Sequence, residues 1–154
     1  MKQFEIKLLS KEFYKKYNTI DYPEMEDKSN RPFLVLLVTI EENRFAIPFR
    51  TNVKHKYCYK FSNTGRKTNS STALDYSKSV IVNEDVYLDT CAYIDKSEYI
   101  ELSSKYIFII NKFKNFLNRY KKIMQNSKKY SYEYNLFAKY CTLKYFLKEL
   151  NIGV

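Results

Sequence analysis

With 154 residues, 45% of them hydrophobic and 29% charged, the chain has the composition of one globular domain spanning residues 1–154 and is not expected to be disordered. A net charge of +10 and a pI near 9.3 point to a polyanionic partner: RNA, DNA or an anionic membrane surface. The longest apolar run, Phe33 to Val38, is six residues, far short of the roughly 20 that cross a bilayer, and Met1 to Lys7 lacks the apolar core of a signal peptide.

Phe4, Ile6 and Leu8 alternate with polar neighbours and predict a first strand, after which Ser10 can cap a short helix carrying Phe13, Tyr14 and Tyr17. The segment from about Asn18 to Arg31 reads as a polar loop whose acids, Asp21, Glu24, Glu26 and Asp27, are a solvated connection. Phe33 to Ile40 predicts a strand, Glu41-Glu42-Asn43 a turn, and Arg44 to Pro48 the returning strand. Ser62 to Thr72, rich in Ser, Thr and Asn and holding Gly65, reads as a mobile loop. Tyr76 to Val82 and Val86 to Tyr93 predict two further strands around Asn83-Glu84-Asp85.

Tyr106 to Ile109 favours a strand by composition, whereas Ile110, Phe113, Leu117, Tyr120 and Met124 repeat at the spacing of one helix face and predict a helix from about Ile110 to Gln125. A second helical region after Ser131 is expected to break at Cys141-Thr142, with Thr142 as a cap. Strands mixed with carboxyl-terminal helices make the fold class α+β. Residues 105 to 150 carry 11 bases and two acids, a solvated electrostatic background and not a site.

Residues 43 to 74 contain no acid and seven bases, Arg44, Arg50, Lys54, Lys56, Lys60, Arg66 and Lys67. At their centre Pro48 to Tyr57 brings together cations, the Thr51 hydroxyl and the single histidine, His55. Metal-free RNA cleavage uses the substrate's own 2′-hydroxyl as nucleophile, so the protein needs only to stabilise charge on the phosphate and to move protons. Thr51 with Arg50, Lys54 and Arg31 suits the first task. An imidazole suits the second, because it exchanges protons near neutral pH. On a strand, however, Lys54 and His55 would face opposite ways, and a basic stretch also serves as a plain solvated loop. Lys56 and Tyr57 read as sheet surface or base-stacking neighbours. Lys78, at the start of a strand opened by Asp75, could reach a phosphate, or Asp75 simply turns the chain while Tyr76 packs.

Three cysteines, Cys58, Cys91 and Cys141, are odd in number and form no C-x-x-C pair, which argues for reduced thiols in a cytoplasmic protein. One histidine and scattered acids provide no cluster for catalytic zinc or magnesium, so no cofactor is expected. No G-x-S-x-G elbow supports a serine hydrolase.

Four segments in order, Asn30 to Leu37, Phe45 to Lys56, Asp75 to Lys78 and Cys141 to Phe146, resemble the TenpN branch of the ToxN/AbiQ endoribonuclease toxins of bacterial type III toxin–antitoxin systems. The resemblance implies a twisted antiparallel sheet, barrel-like as in the MazF and Kid toxins, wrapped by helices. It implies a metal-independent endoribonuclease that leaves a 2′,3′-cyclic phosphate on cellular or phage RNA. It further implies inhibition by a pseudoknot-like antitoxin RNA, a cyclic toxin–RNA assembly such as a heterohexamer, and a role in phage defence.

On the family pattern Thr51 falls on the hydroxyl three residues after the strand proline, Lys54 on the lysine beyond it, and Arg31 on a basic residue before the strand. The sequence departs from that pattern in Arg50, where a second hydroxyl would sit, and in one extra residue between Thr51 and Lys54. The expected site is thus Thr51, Lys54 and His55 as catalytic residues, with Arg31, Arg44, Arg50, Lys56, Tyr57 and Lys78 on RNA or phosphate. The rival reading is a noncatalytic RNA-binding module in which Thr51 and Lys54 only hold phosphates. Membrane-surface binding ranks third, because the lysines surround the helices instead of flanking one apolar face.

Overall fold

The β2–β3 hairpin at the centre of the sheet explains most of the architecture. In the computed structural model, which describes residues 4–25, 33–62 and 71–153, β2 (Leu34–Ile40) and β3 (Asn43–Thr51) run antiparallel from Val35 opposite Pro48 to Ile40 opposite Asn43. The chain reverses through Glu41, at φ 56. Val35, Leu36, Leu37 and Val38 are all buried, so this sheet is covered on both faces and shows a continuous apolar run instead of alternation.

On β3, Phe45 packs edge-on to Phe113 of the long helix and Phe49 stacks with Phe61. Ala46, Pro48 and Arg50 alternate onto the opposite face, where they share a cleft with Leu9, Phe13 and Tyr14. Those residues come from β1 (Glu5–Leu9) and α1 (Lys11–Lys16). The expected cap is present: Ser10 Oγ accepts from the Phe13 N–H.

Flanking strands extend the sheet in the order β4-β5-β3-β2-β1-β7, with β6 (Val80–Ile81) also on β3. β4 (Cys58–Lys60) and β5 (Thr72–Asp75) pair with each other, and β7 (Leu88–Cys91) pairs with β1. The described strands form an open antiparallel path whose ends are β4 and β7.

Several sequence expectations are corrected. Tyr76 to Val82 and Val86 to Tyr93 do not form a hairpin with each other, since β6 pairs with β3 and β7 with β1. Tyr76–Lys78 is a 3-10 turn because the Asp75 side chain accepts from the Ser77 N–H and ends the extended backbone. Thr72, expected in a loop, begins a buried strand. Tyr106 to Ile109 lies inside α2 (Lys96–Met124), where Ile107 and Phe108 are exposed and the face of Leu102, Ile109 and Phe113 is buried. Helical spacing there overrides β-branched composition. Only Lys105 departs from helical dihedrals within α2.

The break expected near residue 141 occurs: α3 (Ser131–Tyr140) ends and a 3-10 turn spans Thr142–Phe146. Thr142 is not its cap, however. Its buried hydroxyl donates to the Ser79 carbonyl at 2.6 Å, tying the carboxyl-terminal segment to the sheet. The main core cluster runs from Ile6 to Ile152, a small second cluster joins Val53, Cys58 and Ala73, and among the described residues no helix is long and apolar enough to cross a membrane.

The α2 assignment is testable by urea unfolding. Phe113→Ala, which empties a fully buried ring position, is expected to cost about 3–5 kcal/mol, whereas Ile107→Ala should stay within about 0.5 kcal/mol. Comparable losses at both positions would contradict the helical register.

Candidate functional site

The acid-free stretch ends at Asp75, and this carboxylate organises the residues around it. Strand pairing sets Arg50 opposite Ala73 and Cys58 opposite Asp75, so Arg50 and Asp75 share a face of the sheet. Arg50 donates to Asp75 Oδ2 at 2.9 Å. The other oxygen, Oδ1, accepts from the Ser77 N–H at 3.0 Å and the Ser77 hydroxyl at 2.6 Å, and lies 3.2 Å from His55 Nε2. Asp75 has no exposed side-chain surface, while its partners Arg50 and His55 are 27% and 37% exposed. Burial, the largest single influence, pushes the Asp75 carboxyl up. Hydrogen bonds from His55, Ser77 and Arg50 together outweigh it and hold the group below the ordinary carboxylate range.

His55 is fixed at both ring nitrogens. Its Nδ1 accepts the Tyr57 N–H at 3.0 Å, so in the neutral ring the proton sits on Nε2, which lies 3.2 Å from both Ser77 Oγ and Asp75 Oδ1. Residues 52 to 57 form no strand, and the alternation argument separating His55 from Lys54 does not apply. Asn52, at φ 57, turns the chain out of β3, and its N–H donates to the Ser71 carbonyl. Thr51, Asn52, Lys54 and Lys56 are exposed along this turn.

Tyr57 supports the loop from behind. Its ring meets Phe137 at 5.0 Å and its hydroxyl donates to Glu133 at 3.3 Å. Arg119 on α2 pairs with Glu133 at 2.5 Å and holds that carboxyl below its usual range. Burial, reinforced by Glu133, pushes the Tyr57 phenol up.

The residues expected from sequence therefore separate into groups. Arg50 and His55 meet through Asp75. Thr51 sits opposite Thr72 and, by strand alternation, on the other face of β3 from Arg50, exposed at the strand end beside the turn that carries Lys54. Lys56 lies over the Tyr57 ring at 5.5 Å. Lys78 donates to the Tyr140 carbonyl at 2.8 Å and lines the cleft with Arg50, where Phe33, Met25 and Pro48 give apolar walls. Arg44 is a structural pin, donating to the Val82 carbonyl and to Asp85 at 2.8 and 2.7 Å. Arg31 lies outside the described residues. Asp75 and Ser77 appeared in the sequence within a resembling segment, Asp75 as a turn or strand-opening residue, without their contacts to His55, and Glu133 carried no signal, because its partner Tyr57 lies 76 residues away.

This arrangement offers a solvent-facing hydroxyl and lysines over a buried, charge-fixed layer. Exposed hydroxyl and ammonium groups of this kind can hold a phosphodiester, while Arg50 and His55 are engaged with Asp75. Among the described residues no cluster of His, Cys, Asp or Glu is arranged to hold a metal. Comparison with known proteins returns no match to a family model, a curated protein or a solved structure.

The role of Asp75 has a pH signature. Because its folded pKa is lowered, its contribution to stability is complete above about pH 4, the unfolded range, and is lost as pH falls through the lower folded value. Asp75→Asn should cost about 3–5 kcal/mol at pH 7, since Arg50 loses a buried partner. That difference from the native protein should shrink below pH 4 in urea titrations. A difference unchanged down to pH 2 would contradict the assignment.

Proposed function

We propose that the protein is a metal-independent endoribonuclease of the type III toxin class, cutting single-stranded cellular or phage RNA by attack of the 2′-hydroxyl on the adjacent phosphate. The observation that carries this reading is the end of β3 and the turn at residues 52–57, where Thr51 and Lys54 are exposed and His55 is held to Asp75. Thr51 and Lys54 hold the phosphate as negative charge builds, and Lys56 extends the basic surface, while Arg50 secures Asp75 on the other face of β3. His55 is the candidate proton carrier. To act, its ring must exchange the Tyr57 N–H or the Asp75 contact for the substrate, a rearrangement that bound RNA would drive.

The same reading takes the antiparallel sheet as a relative of the barrel-like sheets of such toxins, the inhibitor as a structured antitoxin RNA, and the inhibited form as a cyclic toxin–RNA assembly in the cytoplasm. Support comes from the four resembling segments and from the basic, acid-free stretch on which the turn lies.

One observation favours a noncatalytic RNA-binding module instead: both His55 nitrogens already have partners within the chain. Incubation with single-stranded RNA in chelator separates the two. The endoribonuclease reading predicts fragments ending in 2′,3′-cyclic phosphate, with rates lowered about 10²-fold or more in Thr51→Ala, Lys54→Ala and His55→Ala. Tight binding with intact RNA would establish the module, and cleavage only with added divalent metal would reject the mechanism.

A further inference from the structure

A second concavity lies between α2 and the β2–β3 hairpin, away from the strand ends that carry Thr51. Thr39, Glu41 and Asn43 line it from the hairpin, and Lys114, Asn118 and Lys121 line it from the helix, over a floor that includes Phe45 and Leu117. The spacing of 114, 118 and 121 puts these three side chains on one face of α2, with the amide between the two ammonium groups.

Most bases nearby are already engaged. Arg119 pairs with Glu133, Arg44 with Asp85 and Lys144 with Glu24, while Lys122 lies over the Tyr130 ring. Lys114 and Lys121, by contrast, have neither a carboxylate nor a ring partner among the described residues. Asn43 is held in place by donating to the Glu149 carbonyl and accepting from Asn83. Glu41, exposed on the turn, is the single acid lining the concavity.

We propose that this concavity is a second RNA site, in which Lys114 and Lys121 each neutralise a backbone phosphate and Asn118 hydrogen-bonds between them. The inference rests on the reading that the partner is RNA, and adds a surface remote from the candidate catalytic turn. Seven residues of helix separate the lysines by about 10.5 Å along the axis, far enough for each to meet a different phosphate of one strand. Phosphate contacts of this kind give affinity and register without reading sequence. Glu41 opposes them and limits the affinity of the free groove.

Binding of two RNA probes, an unpaired oligonucleotide and a hairpin of equal length, is measured against salt for the full chain. Lys114→Ala/Lys121→Ala should reduce the slope of log K against log salt by about 1.4 to 1.8 and weaken binding about tenfold at low salt on at least one probe. The probe affected identifies whether unpaired or paired RNA occupies the groove. Lys114→Arg/Lys121→Arg should restore the slope, Glu41→Gln should tighten binding, and the charge-matched control Lys11→Ala/Lys16→Ala should leave it unchanged. If RNA binding depends on Lys54 but neither probe senses the Lys114 and Lys121 change, the groove is overturned while the functional reading stands. If the unaltered protein binds neither probe, both are overturned. Unchanged thermal unfolding of the alanine variant excludes misfolding as the cause.

Discussion

A carboxylate without exposed surface must be surrounded by donors, and Asp75 recruits them from two positions 20 to 25 residues earlier in the chain and from the turn that it opens itself. Arg50 comes from the end of β3, His55 from the turn after it, and Ser77 from the 3-10 turn that Asp75 itself caps. Leaving such a charge unpaired costs several kcal/mol, so the carboxylate fixes where the chain leaves β3 and how the next residues are displayed. The acid stands at the first position after 32 residues that contain none, 43 to 74. The carboxylates that this stretch touches all come from outside it, Asp75 beneath Arg50 and His55, Asp85 on Arg44, Glu101 on Tyr59 and Ser62, and Glu133 on Tyr57.

A second set of contacts ties that turn to the helical layer. Tyr57 gives its N–H to His55 and its hydroxyl to Glu133, and Arg119 holds Glu133 from α2. The Tyr57 ring is packed against Phe137 and Phe116, so the displayed residues rest on an aromatic interior. Cations then divide by what they touch. Arg44 and Lys144 are consumed in pinning elements together, whereas Lys54 and Lys114 are exposed, Lys121 is half-buried, and none of the three meets a carboxylate among the described residues.

The elements with strong local signals were legible in the sequence. Ser10 as a cap, the β2–β3 hairpin and the apolar face from Ile110 to Met124 all follow from spacing and composition within a few residues. The short strands β4 and β5 were not, because they contain three and four residues and are set by pairing with β3, either directly or through β5, whereas β6 lies inside the strand expected at Tyr76 to Val82. Tyr106 to Ile109 looked like a strand because aromatic and β-branched residues favour extended backbone, but the helix on either side continues through them. Of the site, the basic turn could be read directly. The Asp75 centre could not, since it depends on contacts across 20 to 25 residues and on a burial that sequence does not display.

His55 is the only histidine, so side-chain nitrogen-15 spectra of histidine-labelled protein report this centre without ambiguity. In the free protein the neutral form of the ring should be a single tautomer with the proton on Nε2, lost to tautomer averaging in Asp75→Asn, and both nitrogen signals should move when a noncleavable 2′-deoxy-substituted RNA is added. A ring that already averages between tautomers in the native protein, and is indifferent to both Asp75→Asn and the RNA, would contradict an Asp75-ordered site for a phosphodiester.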